Sequence, residues 1–214
     1  MQFNEGMAKL ESRARLAVIV LWIFVVVSAL TAGAEAMEAT GTVDLALDSG
    51  PLVLAIGLVY LAYTAVFVVS IVLVAMWIHR AHANLREAGV DGLEFTPGWA
   101  VGWFFVPIAN LFKPFQAMRE LWTASHGEAD RFGGEAPTEV KLWWGAWLVG
   151  NIASTVGTRI ILMGEGEASS LVVGTALGGI GTVVIVLAAI LLAKVIAGVT
   201  AAQRGGGTAV GVFA

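Results

Sequence analysis

The sequence predicts an all-α integral membrane protein: four transmembrane helices, with a re-entrant or interfacial helical hairpin between the second and third spans. Two properties of the composition predict this class. Of the 214 residues, 58% are apolar and only 13% are charged. Soluble domains carry about a quarter charged residues, so this chain is too apolar for that class.

Four runs with little or no charge are long enough to cross a bilayer, since about 20 apolar helical residues cover a hydrocarbon core of about 30 Å. They lie at about residues 16–34, 51–78, 142–164 and 168–193. We predict helices because an open sheet would leave edge groups unpaired in lipid. The runs form a single polytopic domain, residues 1–204, followed by a flexible tail at 205–214.

The first run has a second interpretation. Basic residues precede it, and Ala32-Gly33-Ala34 is similar to the small-residue site at which signal peptides are cleaved. We expect a retained helix, with a cleaved signal as the alternative.

The distribution of Lys and Arg decides whether residues 95–122, which contain three prolines, also cross the membrane. Basic residues near spans favour the cytoplasmic side. Four spans with a cytoplasmic N-terminus place every Lys and Arg except Arg159 on that side. A fifth span would move half of them to the opposite side. We therefore predict four spans in the bacterial cytoplasmic membrane, with both termini cytoplasmic.

Proline positions predict that residues 97–125 form a hairpin. Pro97 can begin a helix, and Pro107 must kink or end it about ten residues later, at a length of about 15 Å. Asn110 and Lys113-Pro114 break the chain again, and an amphipathic helix follows. Two arrangements fit this pattern: a hairpin that re-enters the membrane, or a kinked helix that lies flat at its surface.

Three motifs in residues 77–122 are specific enough to indicate a family. They are W-x-x-R-x-x-x-N at Trp77, Arg80 and Asn84, then P-G-W-A-V-G-W at residues 97–103, then P-x-x-N-L-x-x-P at residues 107–114. This segment resembles the signature of a bacterial membrane family known as domain of unknown function 4328. With its flanking spans, the resemblance covers about residues 14–203. It implies a polytopic inner-membrane domain and brings no activity, cofactor or catalytic residue.

Arg80 and Asn84 lie four residues apart, so both side chains can point toward one neighbour. We expect that neighbour to be the loop that contains Pro107, Asn110, Lys113 and Pro114, whose broken backbone needs hydrogen-bond partners. In a structural role the two residues pin the hairpin. In a functional role Arg80 binds an anionic ligand or a lipid phosphate there. The structural role is favoured.

Aromatic and small residues predict how the spans are anchored and packed. Tryptophans are enriched where membrane proteins meet lipid head groups, and we predict this role for Trp99, Trp103, Trp122, Trp143 and Trp144. Gly174 and Gly178, four residues apart in the fourth run, predict a close helix contact.

Few residues are candidates for chemistry. His79 and His82 have a spacing that could hold a metal or haem, but two histidines at a helix end are weak evidence for either. Arg159 is the one charge within a predicted span, and we expect it to reach toward water or toward Glu165 and Glu167. The chain has no cysteine, and its net charge of −4 disfavours nucleic-acid binding.

These observations favour a non-enzymatic membrane protein without a cofactor, acting as an accessory or scaffold subunit beside other membrane subunits or further copies of itself. One alternative is a transporter or channel for an ion, a small molecule or a lipid, which would use the broken hairpin. A lesser alternative is a haem-binding redox protein that would use His79 or His82.

Overall fold

The computed structural model describes residues 2–45, 47–127 and 137–210, and every regular element within these ranges is a helix. Four long helices frame a segment of short ones. In chain order the elements are α1 (Gln2–Ala39), α2 (Pro51–Glu87), α3 (Pro97–Gly102), a 3₁₀ turn (Trp103–Phe105), a second 3₁₀ turn (Ala109–Leu111), α4 (Lys113–His126), α5 (Thr138–Met163) and α6 (Ala168–Val210).

Four of these helices, α1, α2, α5 and α6, are long and apolar enough to cross a membrane. The predicted all-helical class and the four apolar spans are therefore confirmed. The helices are longer than the apolar runs: α1 begins at Gln2, and α2 continues to Glu87. The charged residues beyond each apolar run are compatible with a continuing helix, because a helix can extend past the bilayer into water.

The tail predicted at residues 205–214 begins within a helix. Helix α6 runs to Val210, so the first six of these residues are helical, and residues 211–214 lie outside the described ranges. Each glycine disfavours a helix by about 1 kcal/mol. The three successive glycines at residues 205–207 nevertheless do not end α6, because extending an existing helix is easier than starting one.

The chain forms two compact units. The first unit comprises residues 1–19, 71–144 and 191–214, and the second comprises residues 20–70 and 145–190. Twelve Lys and Arg residues occur in the chain; without Arg131, which lies outside the described residues, eleven remain. Ten of these lie in the first unit and only Arg159 in the second.

The core of the first unit is built from short apolar segments of several helices. Helix α4 buries Ala117, Met118 and Leu121 completely, while Gln116, Arg119 and Glu120 are only half-buried. This is the amphipathic pattern read from the sequence. Its apolar face is covered by protein. Val140 of α5 and Ile196 of α6 are also buried in this unit.

The second unit depends on close contact between α5 and α6. A Cβ atom placed on Gly157 would lie 2.6 Å from the carbonyl oxygen of Gly174 and 2.8 Å from the backbone nitrogen of Gly178. Only glycine permits this approach of the two backbones. Gly174 and Gly178 thus lie at a helix contact formed within one chain.

We expect Gly157→Ala to destabilise the protein, because the new methyl group would push α5 and α6 apart at a cost of about 1–3 kcal/mol. The matched control is Gly145→Ala on the same helix, where an added Cβ would meet no atom within 4 Å. Thermal unfolding in detergent, followed by circular dichroism, should show a lower midpoint for Gly157→Ala only. Equal midpoints for the two variants would contradict the close contact.

Candidate functional site

The candidate site lies in the first unit, on the face of α2 that carries the W-x-x-R-x-x-x-N motif. Helical periodicity places Trp77, Ala81 and Asn84 on one side of α2, and all three are buried. Two of them carry polar groups that need partners away from water. The partners come from α1, α4 and α6.

Gln203 of α6 is the central residue of this site. Its Nε2 donates to the carbonyl oxygen of Ala81 at 3.1 Å and to Oγ of Ser125 at 3.0 Å. Its Oε1 accepts from Nδ2 of Asn84 at 3.4 Å. One side chain therefore joins α2, α4 and α6. We call Arg80, Asn84, Ser125 and Gln203 the polar cluster.

The first turns of α1 complete the polar cluster. Nδ2 of Asn84 lies 3.5 Å from the carbonyl oxygen of Gly6 and 3.4 Å from the sulfur of Met7. A Cβ on Gly6 would lie only 2.8 Å from Oδ1 of Asn84. Glycine at this position thus lets the α1 backbone approach the buried amide.

Arg80 is held on its own helix. Its Nε donates to Oδ1 of Asn84 at 2.6 Å, and its Nη2 forms an ion pair with the carboxylate of Glu87. Asn84 meets the beginning of α1 and the end of α6, because these helices extend beyond their apolar runs and occupy the space beside α2. No described hydrogen bond joins Arg80 or Asn84 to residues 107–114, toward which we expected both to point.

Trp77 makes a second link between α2 and α6. The indole is completely buried, and its Nε1 donates to Oγ1 of Thr200 at 3.2 Å. The hydroxyl of Thr200 in turn donates to the carbonyl oxygen of Ile196 at 2.7 Å. Trp77 and Asn84 of the motif thus contact residues that lie three apart on α6.

Arg86 and Glu120, two residues that the sequence did not single out, bind the backbone just before α3; below, the hairpin means residues 97–125, which contain α3, the two 3₁₀ turns and most of α4. The Glu120 carboxylate accepts from the backbone N–H groups of Glu94 at 2.5 Å and Phe95 at 3.2 Å. Arg86 donates to the carbonyl oxygens of Leu93 at 3.3 Å and Phe95 at 3.0 Å. These charged side chains supply the partners that the irregular backbone before α3 lacks. The sequence feature that could have indicated Glu120 is a glutamate on the polar face of an amphipathic helix.

Lys113 and the prolines also shape the hairpin. Lys113 forms an ion pair with Glu94 at 3.3 Å, and its Nζ lies 5.4 Å from the centre of the Phe95 ring. Pro114 is buried in the first turn of α4, and Pro97 begins α3 after the N-cap Thr96. The two predicted helix starts therefore lie where the prolines indicated.

The tip of the hairpin is apolar and exposed. Pro107, Ile108 and Ala109 form a γ-turn in which the Ala109 N–H donates to the Pro107 carbonyl oxygen at 2.8 Å. Ile108 has a φ of 66° and a ψ of −52°, a strained conformation for a β-branched residue. Phe105 is 67% exposed, and Ile108 is 76% exposed. Asn110 is half-buried in the second 3₁₀ turn, where its N–H bonds to the Val106 carbonyl.

The five tryptophans predicted as interface anchors differ in their surroundings. Trp99 is exposed, and its ring centre lies 4.8 Å from that of Trp103. Trp122 packs against Gly198 of α6. Trp143 and Trp144, however, are buried within the first unit. The Nε1 of Trp144 donates to the carbonyl oxygen of Leu111 at 3.2 Å, between the second 3₁₀ turn and α4.

The two histidines have different environments. His82 is completely buried, with Nδ1 3.0 Å from the carbonyl oxygen of Ile78, whereas His79 is exposed. Within the described ranges, no group of three or more His, Cys, Asp or Glu residues could hold a metal. Arg159 is exposed on α5, and none of the described ion pairs joins it to Glu165 or Glu167.

We expect Asn84→Leu and Gln203→Met each to lower the free energy of unfolding by about 1–3 kcal/mol, because each leaves a buried partner without its hydrogen bond. The double variant should lose about 1 kcal/mol less than the sum of the two, because the groups act in one network. Chemical unfolding in detergent measures this. The control is Gln116→Met, since Gln116 is half-buried and makes no side-chain hydrogen bond among the described contacts. Strictly additive losses would show that Asn84 and Gln203 are not coupled.

The pH dependence of stability tests the role of Glu120, which binds the backbone N–H groups of Glu94 and Phe95. Burial raises the pKa of this carboxyl above 4.5, and the hydrogen bonds from Glu94 and Phe95 only partly oppose the rise. Because the folded state then binds the proton more tightly, the stabilisation by Glu120 is complete below pH 4.5 and is lost as the pH rises through the raised pKa. We expect the stability difference between wild type and Glu120→Gln to fall over this interval. A difference that increases with pH would contradict the raised pKa.

Comparison with known proteins assigns the chain to a family. A family model described as "Domain of unknown function (DUF4328)" matches residues 44–201, which include α2, the hairpin, α5 and most of α6. Searches of curated proteins and of solved structures found no match. The matched segment contains all three motifs on which the resemblance was based. The chain therefore belongs to the DUF4328 family.

Proposed function

We propose that this protein is a non-enzymatic subunit of a membrane complex, which it supports as an accessory or scaffold component in the bacterial cytoplasmic membrane. One observation carries the proposal: the buried polar groups of the first unit are used to hold helix ends together. Gln203 alone contacts α2 and α4 through direct hydrogen bonds. Arg80 is engaged by Asn84 and Glu87. Such an arrangement suits a rigid framework.

The orientation in the membrane follows from the charges. Ten of the eleven described Lys and Arg residues lie in the first unit. Because basic residues tend to remain on the cytoplasmic side of a membrane, we place both termini and the segment between α2 and α5 in the cytoplasm. The loops at residues 40–50 and 164–167 are then periplasmic.

The hairpin is then a re-entrant element of the cytoplasmic leaflet. Its base carries the charged groups of Arg86, Lys113 and Glu120, which match the depth of lipid head groups. Its tip exposes Phe105 and Ile108, which match acyl chains. An element with a polar, hydrogen-bonded base and an apolar tip is stable when the tip enters lipid.

The exposure of the spans supports association with other helices. Within the most apolar window of each span, the buried share is 33% for α1 and 39% for α6, but only 6% for α2 and 11% for α5. Helices α2 and α5 therefore offer most of their surface to lipid or to neighbouring subunits. A transporter that uses the hairpin, and a haem protein that uses His79 or His82, gain no specific support from these contacts and stay predictions.

Native mass spectrometry tests the proposed role. The tagged protein is expressed from its own promoter and purified from its own membranes in mild detergent. We expect a stoichiometric complex with at least one different membrane polypeptide. Recovery of this chain alone, or of copies of this chain that retain a small molecule, would contradict the scaffold role.

Labelling of single cysteines tests the topology, because the chain has no cysteine of its own. We expect a membrane-impermeant maleimide to label Ser49→Cys in intact spheroplasts, and Ala88→Cys only after permeabilisation. Ile108→Cys should remain unlabelled in both conditions, because lipid covers the tip. Labelling of Ile108→Cys after permeabilisation would indicate a hairpin that lies at the surface.

A further inference from the structure

Helix α5 exposes a row of polar side chains along one side of its span. Asn151, Thr155, Thr158 and Arg159 are all exposed. At about 100° per residue, these positions fall within an arc of about 100°. They therefore form one continuous strip, which we call the polar face of α5.

The polar face is distinct from the two other faces of α5. Gly150 and Gly157 lie against α6, where no side chain would fit. Val149 and Ile152, which are 56% and 59% exposed, form an apolar face suited to lipid. The helix thus has one face for α6, one for lipid and one that neither of these explains.

Lipid alone is a poor environment for the polar face. Asn151 lies twelve residues before the end of α5 at Met163, about 18 Å along a 26-residue helix and hence near its middle. Its Nδ2 donates to the Trp147 carbonyl oxygen at 2.7 Å, but no described hydrogen bond reaches its Oδ1. Polar side chains within spans usually hydrogen-bond to another helix, and a charged one is costlier still to leave in lipid.

A depression beside this face gives a partner helix room to pack. It has a volume of about 460 Å³ and is lined by Ser154, Thr155, Thr158, Arg159, Leu162 and Met163. Four of these lining residues are polar and two are apolar.

A second copy of this chain fits the charges. Arg159 is the only basic residue of the second unit, whose acidic residues are Glu35, Glu38, Asp44, Asp48, Glu165 and Glu167. Glu165 and Glu167 follow α5 directly, and both are exposed. A second copy related by a twofold axis along the membrane normal presents Glu165 about 9 Å farther along the membrane normal than Arg159, a separation that the long arginine side chain can largely bridge. The same axis brings two identical amides together at Asn151.

We propose that the polar face of α5 is a homodimer interface. Asn151 hydrogen-bonds to Asn151 of the second copy, and Arg159 pairs with a carboxylate at Glu165 or Glu167 of the second copy. The self-complementary amide and the nearby opposite charges make the contact isologous. This inference does not depend on the proposed scaffold role, because it concerns copies of the same chain.

Cysteine cross-linking in native membranes at native expression level tests the interface. Thr155→Cys and Val156→Cys are adjacent and lie at the same depth, but on the polar and the apolar face respectively. We expect oxidation to give a dimer of this chain with Thr155→Cys and little with Val156→Cys. No dimer with Thr155→Cys, equal dimer with both variants, or a cross-link to a different polypeptide would overturn the proposal.

A second substitution separates loss of contact from loss of folding. Asn151→Leu in the Thr155→Cys background should reduce the dimer by about fivefold or more. Its thermal midpoint as a monomer in detergent should be unchanged, because the one described hydrogen bond of the Asn151 side chain stays within α5, to the carbonyl oxygen of Trp147. The matched control is Ile152→Leu on the apolar face, which should leave the dimer yield intact. An undiminished dimer yield with Asn151→Leu would overturn the role of the amide.

Discussion

Gln203 donates hydrogen bonds to α2 and α4 and accepts one from Asn84, so a single buried amide joins three helices of the first unit. Apolar contacts between membrane helices are not directional, and lipid competes for them. A buried amide is different, because it loses about 1–3 kcal/mol when its partners move away. The hydrogen bond between Asn84 and Gln203 therefore favours one rotation of α2 about its own axis. The placement of Arg80, Trp77 and the beginning of α1 follows from that rotation.

The hairpin meets the same requirement in another way. Its prolines interrupt the helical hydrogen bonds and leave backbone groups without intrahelical partners. Arg86, Glu120 and Trp144 supply partners for the groups of Leu93, Glu94, Phe95 and Leu111. The interrupted backbone can therefore lie beside apolar helices without a shell of water. The strained turn at Ile108 is confined to the exposed tip, where no packed neighbour has to move.

Each of the two units is stabilised by a different kind of contact. In the first unit, directional hydrogen bonds join helix ends that carry most of the positive charge. In the second unit, the backbones of α5 and α6 come close at Gly157 and Gly174, and shape rather than polarity joins them. The polar side chains of α5 that face away from α6 are the exception. These side chains form the proposed contact between two copies of the chain.

The sequence by itself determined the helical class, the four apolar spans, the family and the two proline breaks, because each depends on composition or on residues close together in the chain. Spacing also placed Arg80 and Asn84 on one side of α2. Only the tertiary structure decided that Asn84 contacts the beginning of α1 and the end of α6. It also decided that Trp143 and Trp144 are buried and that Arg86 and Glu120 hold the hairpin. Apart from the short-range bonds of Arg86, such pairings join residues 25 to 123 positions apart. They depend on how far each helix extends beyond its apolar run and on its rotation, and local sequence specifies neither.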